Sequence, residues 1–395
     1  MRNFFKKFII VSLELAIITG VLWYIAEKRG IHTIGQVSPA LERKMQQVTK
    51  QPFPQLTEPT IKTFPWNYKD VKYELPLTLY QSVYAYYQNQ PKTYSYSGQL
   101  PADWEDKYYG MFLKANEVDQ TISQLATSLQ ALGDKHNLSS DQVVELTLAF
   151  VQAIEYDDAK ASNILAKNGS ETMLYPYETL FQQKGVCSDK SLLALAILRK
   201  MGYGVAIFAY EQDNHMAVGV ECPKSYSTYG SGYCYSETTS VGNKIGIIPQ
   251  FDAQSNKTVD VKELANFDQN QQQEKNLQEL GQVTIYQSST GKEYAGIIET
   301  RKIEAEIVQL KTKMKALIAQ LGNQKKVITQ ELSNLDSQKD DLDNLKNNQN
   351  FEKYNTGAEK YNSLLKKYKA DVRSYNNLIP LYNQAVTSYN LLIKQ

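Results

Sequence analysis

The sequence predicts an α+β domain set between an N-terminal apolar segment and a C-terminal pair of long helices. Three observations predict it. An apolar run of helical length, "SLLALAILRKM", is followed by short β-rich segments separated by polar turns. A stretch of 19 residues near the N-terminus carries one charge. The last 95 residues repeat apolar positions at alternating steps of three and four.

The first element is "FIIVSLELAIITGVLWYIA", Phe8 to Ala26, whose single charge is Glu14. That length crosses a bilayer as a helix. Arg2, Lys6 and Lys7 precede it, and Lys28 and Arg29 follow beside Glu27. The positive bias favours an inside N-terminus, with the rest of the chain outside the cytoplasm. A cleaved signal peptide is the competing reading, but no small-x-small site follows the run, so residues 1–29 are expected to be an uncleaved single-pass anchor. Residues 30–64, which hold three of the four prolines of "KQPFPQLTEPTIKTFP", are expected to be an extended linker.

The mixed domain is expected over 65–250. "LPLTLYQSVYAYYQNQ", "ANEVDQTISQLATSLQALGDKHN" and "SSDQVVELTLAFVQAIEY" read as helices, the last with Ser140 as N-cap. Ser188 to Met201 is a further helix, closed by Gly202 and apolar on all sides, so it belongs inside the domain. "GVAIFAY", "HMAVGVEC", "YCYSETTS" and "KIGIIP" read as strands. Residues 251–298 read as a linker with a β-hairpin turning at Ser289 to Lys292.

Residues 299–395 read as an antiparallel helical hairpin. Ile303, Ile307, Leu310, Met314, Leu317 and Leu321 form one stripe. Its phase is expected to change after Gly322, continuing through Ile328, Leu332, Leu335 and Leu342. In the return helix Tyr354, Tyr361, Tyr368, Tyr375, Tyr382 and Tyr389 recur every seven residues, and Pro380 is expected to kink it. The tyrosines fill a seam with their hydroxyls at its edge, or bind a glycan or a partner helix; self-association stays open.

A net charge of +1 gives no basic field for nucleic acid. The chemistry lies instead in three cysteines and three histidines. Cys187 stands at the start of the apolar helix, where a thiolate is favoured and the free amides of the first turn can face an oxyanion. Gly185 leaves room for backbone to approach a substrate. A nucleophile needs a base, and the base an orienting group. His32 lies by the apolar segment and His136 in a polar turn, whereas His215 opens a strand and Glu237 follows on the next. By strand parity His215, Ala217 and Gly219 share one face, and Cys222 takes the other, as does Cys234 relative to Glu237. With His215 and Glu237 turned to the cysteine helix, Cys222 and Cys234 fall on the far side and form a disulfide. A zinc site from Cys187, His215, Cys222 and Cys234 is the other chemical reading, disfavoured because no C-x-x-C pair exists and parity separates the ligands. Cys187 as a small buried hydrophobe is the bland one. Gln182, Gln183 and Tyr156 are candidate oxyanion donors, and Asp189 suits the helix N-terminus.

The order of "GVCSDKS", "HMAVGV" and "YCYSETTS", with "FVQAIEYDDA" ahead of them, resembles the transglutaminase-like superfamily of papain-type cysteine enzymes. The resemblance runs from about Val144 to Pro249, and more weakly back to Pro65. It implies Cys187 as nucleophile, His215 as base and Glu237 as orienter, with no metal or organic cofactor. Two positions depart: Glu237 stands where many relatives have Asp, and Ala217 where many have Trp. The expected function is a membrane-anchored, extracytoplasmic thiol enzyme acting on peptide or protein amides. Hydrolysis is favoured, because small Ala217 and Gly219 suggest an open site. Protein cross-linking and an inactive surface-binding module are the alternatives.

Overall fold

A computed structural model describes residues 34–36, 52–114, 117–166, 171–252, 257–258 and 277–393. The apolar segment Phe8 to Ala26 lies outside them, as does His32. Among the described residues no helix is long and apolar enough to cross a membrane. The chain divides between Thr300 and Arg301 into two units.

The first unit contains a hairpin of β1 (Pro59–Tyr68) and β2 (Val71–Tyr80). This corrects two expectations. The extended linker stops short of Pro59, and "LPLTLY" is strand, with the helix α1 (Gln81–Gln88) starting only after it. The reason is a period of two: Phe64, Trp66 and Tyr68 on one strand and Tyr73, Leu75 and Leu79 on the other are buried. Trp66 stacks on Tyr73 with ring centroids 5.5 Å apart. Lys69 and Asp70 turn the chain with φ of 47° and 61°, the two-residue turn that matches strand twist. Pro65 and Pro76 are tolerated because a two-stranded ribbon leaves one side of each strand without ladder bonds.

Helices α2 (Trp104–Leu113), α3 (Thr121–Lys135) and α4 (Ser140–Ala153) follow. The N-cap of α4 is Ser139, one residue before the expected Ser140. Only Ser139 stands three before Gln142, and the two exchange bonds of 3.2 and 2.9 Å in a capping box. A short strand β3 (Glu155–Tyr156), helix α5 (Asp158–Leu165), helix α6 (Pro176–Gln182) and strand β4 (Lys184–Gly185) lead into α7 (Cys187–Lys200). β3 and β4 pair in parallel, with Tyr156 opposite Gly185. In α7 Leu192, Leu193, Ala194, Leu195, Ile197 and Leu198 have no exposed surface. Each buried Leu or Ile contributes about 1.5–3 kcal/mol, which fixes this helix as the centre of the unit. Gly202 ends it with φ of 88°.

The sheet has the order β8-β5-β6-β7, all antiparallel: β5 (Val205–Tyr210), β6 (His215–Glu221), β7 (Tyr233–Ser236) and β8 (Thr284–Ser289). β8 corrects the expected hairpin at Ser289 to Lys292, because Thr284–Ser289 pairs with β5 and completes the sheet. "KIGIIP" forms no strand, although Gly246 donates to the Tyr235 carbonyl at 2.7 Å at the β7 edge.

In the second unit α8 (Ile297–Asn347, entering from the first unit) runs antiparallel to α9 (Phe351–Leu392). Gln324 donates to Ser374, Lys367 pairs with Glu331, and Lys311 lies over the ring of Tyr389. The expected change of phase after Gly322 does not occur. The stripe keeps its step of three and four through Gln324, Ile328, Glu331, Leu335, Gln338 and Leu342, while Leu332 is exposed. Polar residues at three seam positions hid that continuity from a search for apolar ones.

Candidate active site

Cys187 begins α7 and is partly exposed, with its Sγ 3.7 Å from the Asn214 carbonyl oxygen that it faces. His215 follows directly, at the point where β6 starts, and is a hydrogen-bond partner of Cys187. Its Nε2 lies 3.0 Å from Glu237 Oε2 and 3.1 Å from the Tyr235 hydroxyl. Nε2 is therefore the nitrogen turned to the acid, which leaves Nδ1 for the thiol. Tyr235 donates to the same Glu237 Oε2 at 2.5 Å. Glu237 Oε1 accepts from the Thr238 and Thr239 amides at 2.9 and 2.8 Å and from the Thr239 hydroxyl at 2.7 Å. Both carboxylate oxygens are thus fully used, and Glu237 has no exposed surface.

The electrostatics follow from that network. Burial disfavours a charged imidazole at His215, but the Glu237 carboxylate and Cys187 outweigh it and raise its pKa. Burial likewise opposes the Glu237 charge, and His215, Tyr235 and Thr239 overcome it and hold the acid well below the usual carboxylate range. The arrangement suits an imidazolium at His215 steadied by the Glu237 carboxylate.

Of the candidate oxyanion donors, the structure brings one to the thiol. Tyr156 sits opposite Gly185 in the β3–β4 pair, and burial and the neighbouring Cys187 raise the pKa of its phenol, so it keeps its proton to donate. Gln182 donates to the Tyr84 hydroxyl at 2.9 Å, and Gln183 donates to the Thr63 carbonyl at 2.9 Å, so both amides are engaged elsewhere. His136 lies against the Tyr73 ring at 4.9 Å, away from this cluster. Cys222 and Cys234 are joined to each other in a disulfide, which removes both from any metal-ligand set.

Three expectations are corrected. Helix α7 packs on the sheet face of Met216, Val218 and Val220, the face that also carries the disulfide, and Ser191 donates to the Met216 carbonyl at 3.1 Å. His215 lies on the opposite face with Tyr210, Ala217 and Tyr235. It meets Cys187 because it stands at the strand's first residue, where Asn214 with φ of 47° turns the chain around the helix end. Gly185 is buried, and a Cβ there would come 2.9 Å from Asp189 Cβ; its small size serves packing, not substrate approach. Likewise a Cβ at Gly219 would come 2.2 Å from the Phe208 ring, and Ala217 has no exposed surface. These small residues admit aromatic rings, so they do not open the site.

Asp189 takes the helix-N-terminal role its position suggested, while Lys160, Lys190, Gln152 and Tyr235 support the site without having been singled out for it. Asp189 accepts from the Val186 and Leu174 amides at 3.0 and 2.8 Å and pairs with Lys160 at 2.7 Å, fixing the N-terminus of α7. Lys190, also fully buried, donates to the Gln152 and Ile154 carbonyls at 3.1 and 2.7 Å, and burial pushes its ammonium down to about 8. Gln152 in turn donates to the Glu237 carbonyl at 2.9 Å. Tyr235 was legible only as a neighbour in parity of Glu237; a charged residue in an apolar helix, as at Lys190, was the stronger signal.

The comparisons with known proteins agree with this geometry at one level. No curated protein and no solved structure matches the chain. Residues 120–227, which include α7 and His215 but end before Glu237, match a family model described as a transglutaminase-like domain, and this supports placing the region in that superfamily.

Proposed function

We propose that the chain is a thiol acyl-transfer enzyme acting on peptide or protein amides, with Cys187 as nucleophile, His215 as base and then acid, and Glu237 as the group that fixes the imidazole. One observation carries this reading: His215 is bonded at once to Cys187 and, at 3.0 Å, to Glu237. The Cys187 sulfur attacks the amide carbonyl carbon while His215 holds the thiol proton. The oxyanion is received by free amides at the start of α7 and by the Tyr156 phenol. The carbon–nitrogen bond then breaks, and His215 returns the proton to the leaving amine, which departs and leaves a thioester. Water attacks the thioester, His215 takes its proton and passes it to the departing sulfur, and the carboxylic acid is released. Hydrolysis is favoured because Cys187 is partly open to solvent. An amine in place of water gives a cross-link by the same first half.

The membrane-anchored, outward-facing placement belongs to the same proposal. The Cys222–Cys234 bond supports it, since disulfides persist in oxidising compartments. The test is intact-mass measurement after rapid acid quenching, with a library of peptide esters and amides as substrate. A thioester adduct on the wild-type chain that is absent in Cys187→Ala is the expected result. Cysteine-dependent incorporation of an added primary amine in excess of hydrolysis would assign cross-linking instead. No adduct and no product would leave the fold as a binding module.

A further inference from the structure

The loop closed by the Cys222–Cys234 disulfide carries a residue whose backbone and side chain make conflicting demands. Tyr229 has φ of 56° and ψ of 20°, and Gly230 follows with φ of 68°. Two successive left-handed residues are the place for Asn-Gly, since a bulky side chain crowds its own carbonyl there. The chain nevertheless puts a tyrosine at this point. Core packing does not account for it, because 57% of its surface is exposed. The surrounding bonds hold the shape: Thr228 Oγ1 accepts from the Tyr235 amide at 2.9 Å, Ser227 Oγ from the Gly232 amide at 3.0 Å, and Ser231 donates to the Thr228 carbonyl at 2.7 Å. A strained, over-determined residue of this kind is a mark of function.

Its position says which function. The Tyr229 hydroxyl lies 3.5 Å from the Tyr210 hydroxyl. Tyr210 is buried, pairs with His215 across β5 and β6, and has its ring 6.2 Å from the imidazole. One tyrosine thus separates the exposed ring from the base of the proposed site. We propose that Tyr229 is an aromatic platform at the rim of the Cys187–His215 site, docking an aromatic side chain of the peptide substrate next to the amide that is cleaved. The proposal rests on the thiol-enzyme reading and adds its specificity. An exposed ring offers offset or edge-on stacking to another ring.

The experiment compares three thiol-alkylating probes on the full-length protein: iodoacetamide, the chloromethyl ketone of acetyl-phenylalanine and that of acetyl-alanine. In each ketone reaction the sulfur–carbon bond forms as the carbon–chlorine bond breaks, chloride leaves, and the thiol proton passes to His215. The expected result is a phenylalanyl rate about tenfold above the alanyl rate. Tyr229→Ala and Tyr229→Gly should bring that ratio close to one, with the iodoacetamide rate at Cys187 unchanged within about twofold. Tyr229→Phe should keep the preference. Tyr229→Gly suits the left-handed backbone, so its Tm should not fall. A preference that survives in Tyr229→Gly, or none in the wild type, overturns the platform. A Gly variant that loses Tm and iodoacetamide reactivity together assigns Tyr229 a structural role and also overturns it. Failure of iodoacetamide to label wild-type Cys187 is a different result, which removes the thiol-enzyme reading itself.

Discussion

Glu237 shows how much a single side chain is asked to do. One oxygen meets His215 and Tyr235, and the other takes three donors from Thr238 and Thr239. Glu237→Gln replaces an acceptor by a donor toward Nε2, so the favoured tautomer reverses. Turnover should fall by about 10²- to 10⁴-fold with little change in KM. Tyr235→Phe should cost less, about tenfold, and move the acid limb of the pH–rate profile upward, because Glu237 loses one stabilising donor. The pair also sets a pH window for stability. His215 is raised to about 10, so its contribution is fully present below the unfolded histidine value of about 6.5 and is lost as pH rises through the folded value. Glu237 is depressed, so its contribution is present above the unfolded carboxylate value and is lost as pH falls through the folded one. The Tm difference between wild type and His215→Ala should therefore be largest near pH 6 and shrink toward pH 10 and above, as read by calorimetry. At this scale Cys187, His215 and Glu237 could be picked out in the sequence from residue type and order. Tyr156 emerged only with Gln182 and Gln183 beside it, because which donor reaches the thiol depends on the β3–β4 pairing.

Helix α7 is the element on which the site is mounted. Asp189 and Lys160 fix its first turn, and Lys190 ties it to the end of α4 through two carbonyls. Lys190→Met keeps the volume but leaves those carbonyls without their donor. The expected loss is about 2–6 kcal/mol in denaturant unfolding, from two unmet acceptors at roughly 1–3 kcal/mol each. The disulfide acts on the unfolded chain more than on the folded one. Replacing both cysteines in Cys222→Ser/Cys234→Ser should cost about 2–4 kcal/mol and leave Cys187 labelling by iodoacetamide intact. The apolar run of α7 was plain in the sequence, whereas its packing face was not. Parity separates Met216 from Ala217 but does not say which side the helix covers. Phe208 and Tyr210 of β5 fill the His215 face, and that choice is tertiary. The β1–β2 hairpin was hidden for another reason: its prolines read as a linker, although Phe64, Trp66 and Tyr68 already alternate.

For the whole molecule, the two units place different demands on the sequence. In the helical unit neighbouring turns and a single reversal at residues 348–350 specify the pairing, so the sequence revealed both helices. In the mixed unit β8 joins β5 from about Thr284, far along the chain, and no local pattern announces such a partner. A fragment of residues 299–395 should be strongly helical by circular dichroism and monomeric by light scattering; a stable dimer would contradict the intramolecular pairing. If the chain is anchored as proposed, protease added to intact cells should remove everything beyond Gly30, and protection until lysis would reverse that orientation. The most direct measurement is the rate at which iodoacetamide labels Cys187 at neutral pH in the native wild type, in His215→Ala and in Glu237→Gln. Labelling in the wild type at least about tenfold faster than in His215→Ala, with Glu237→Gln between them, is the predicted result. Equal rates in all three, or a wild-type thiol that reacts only after denaturation, would contradict the proposed enzyme.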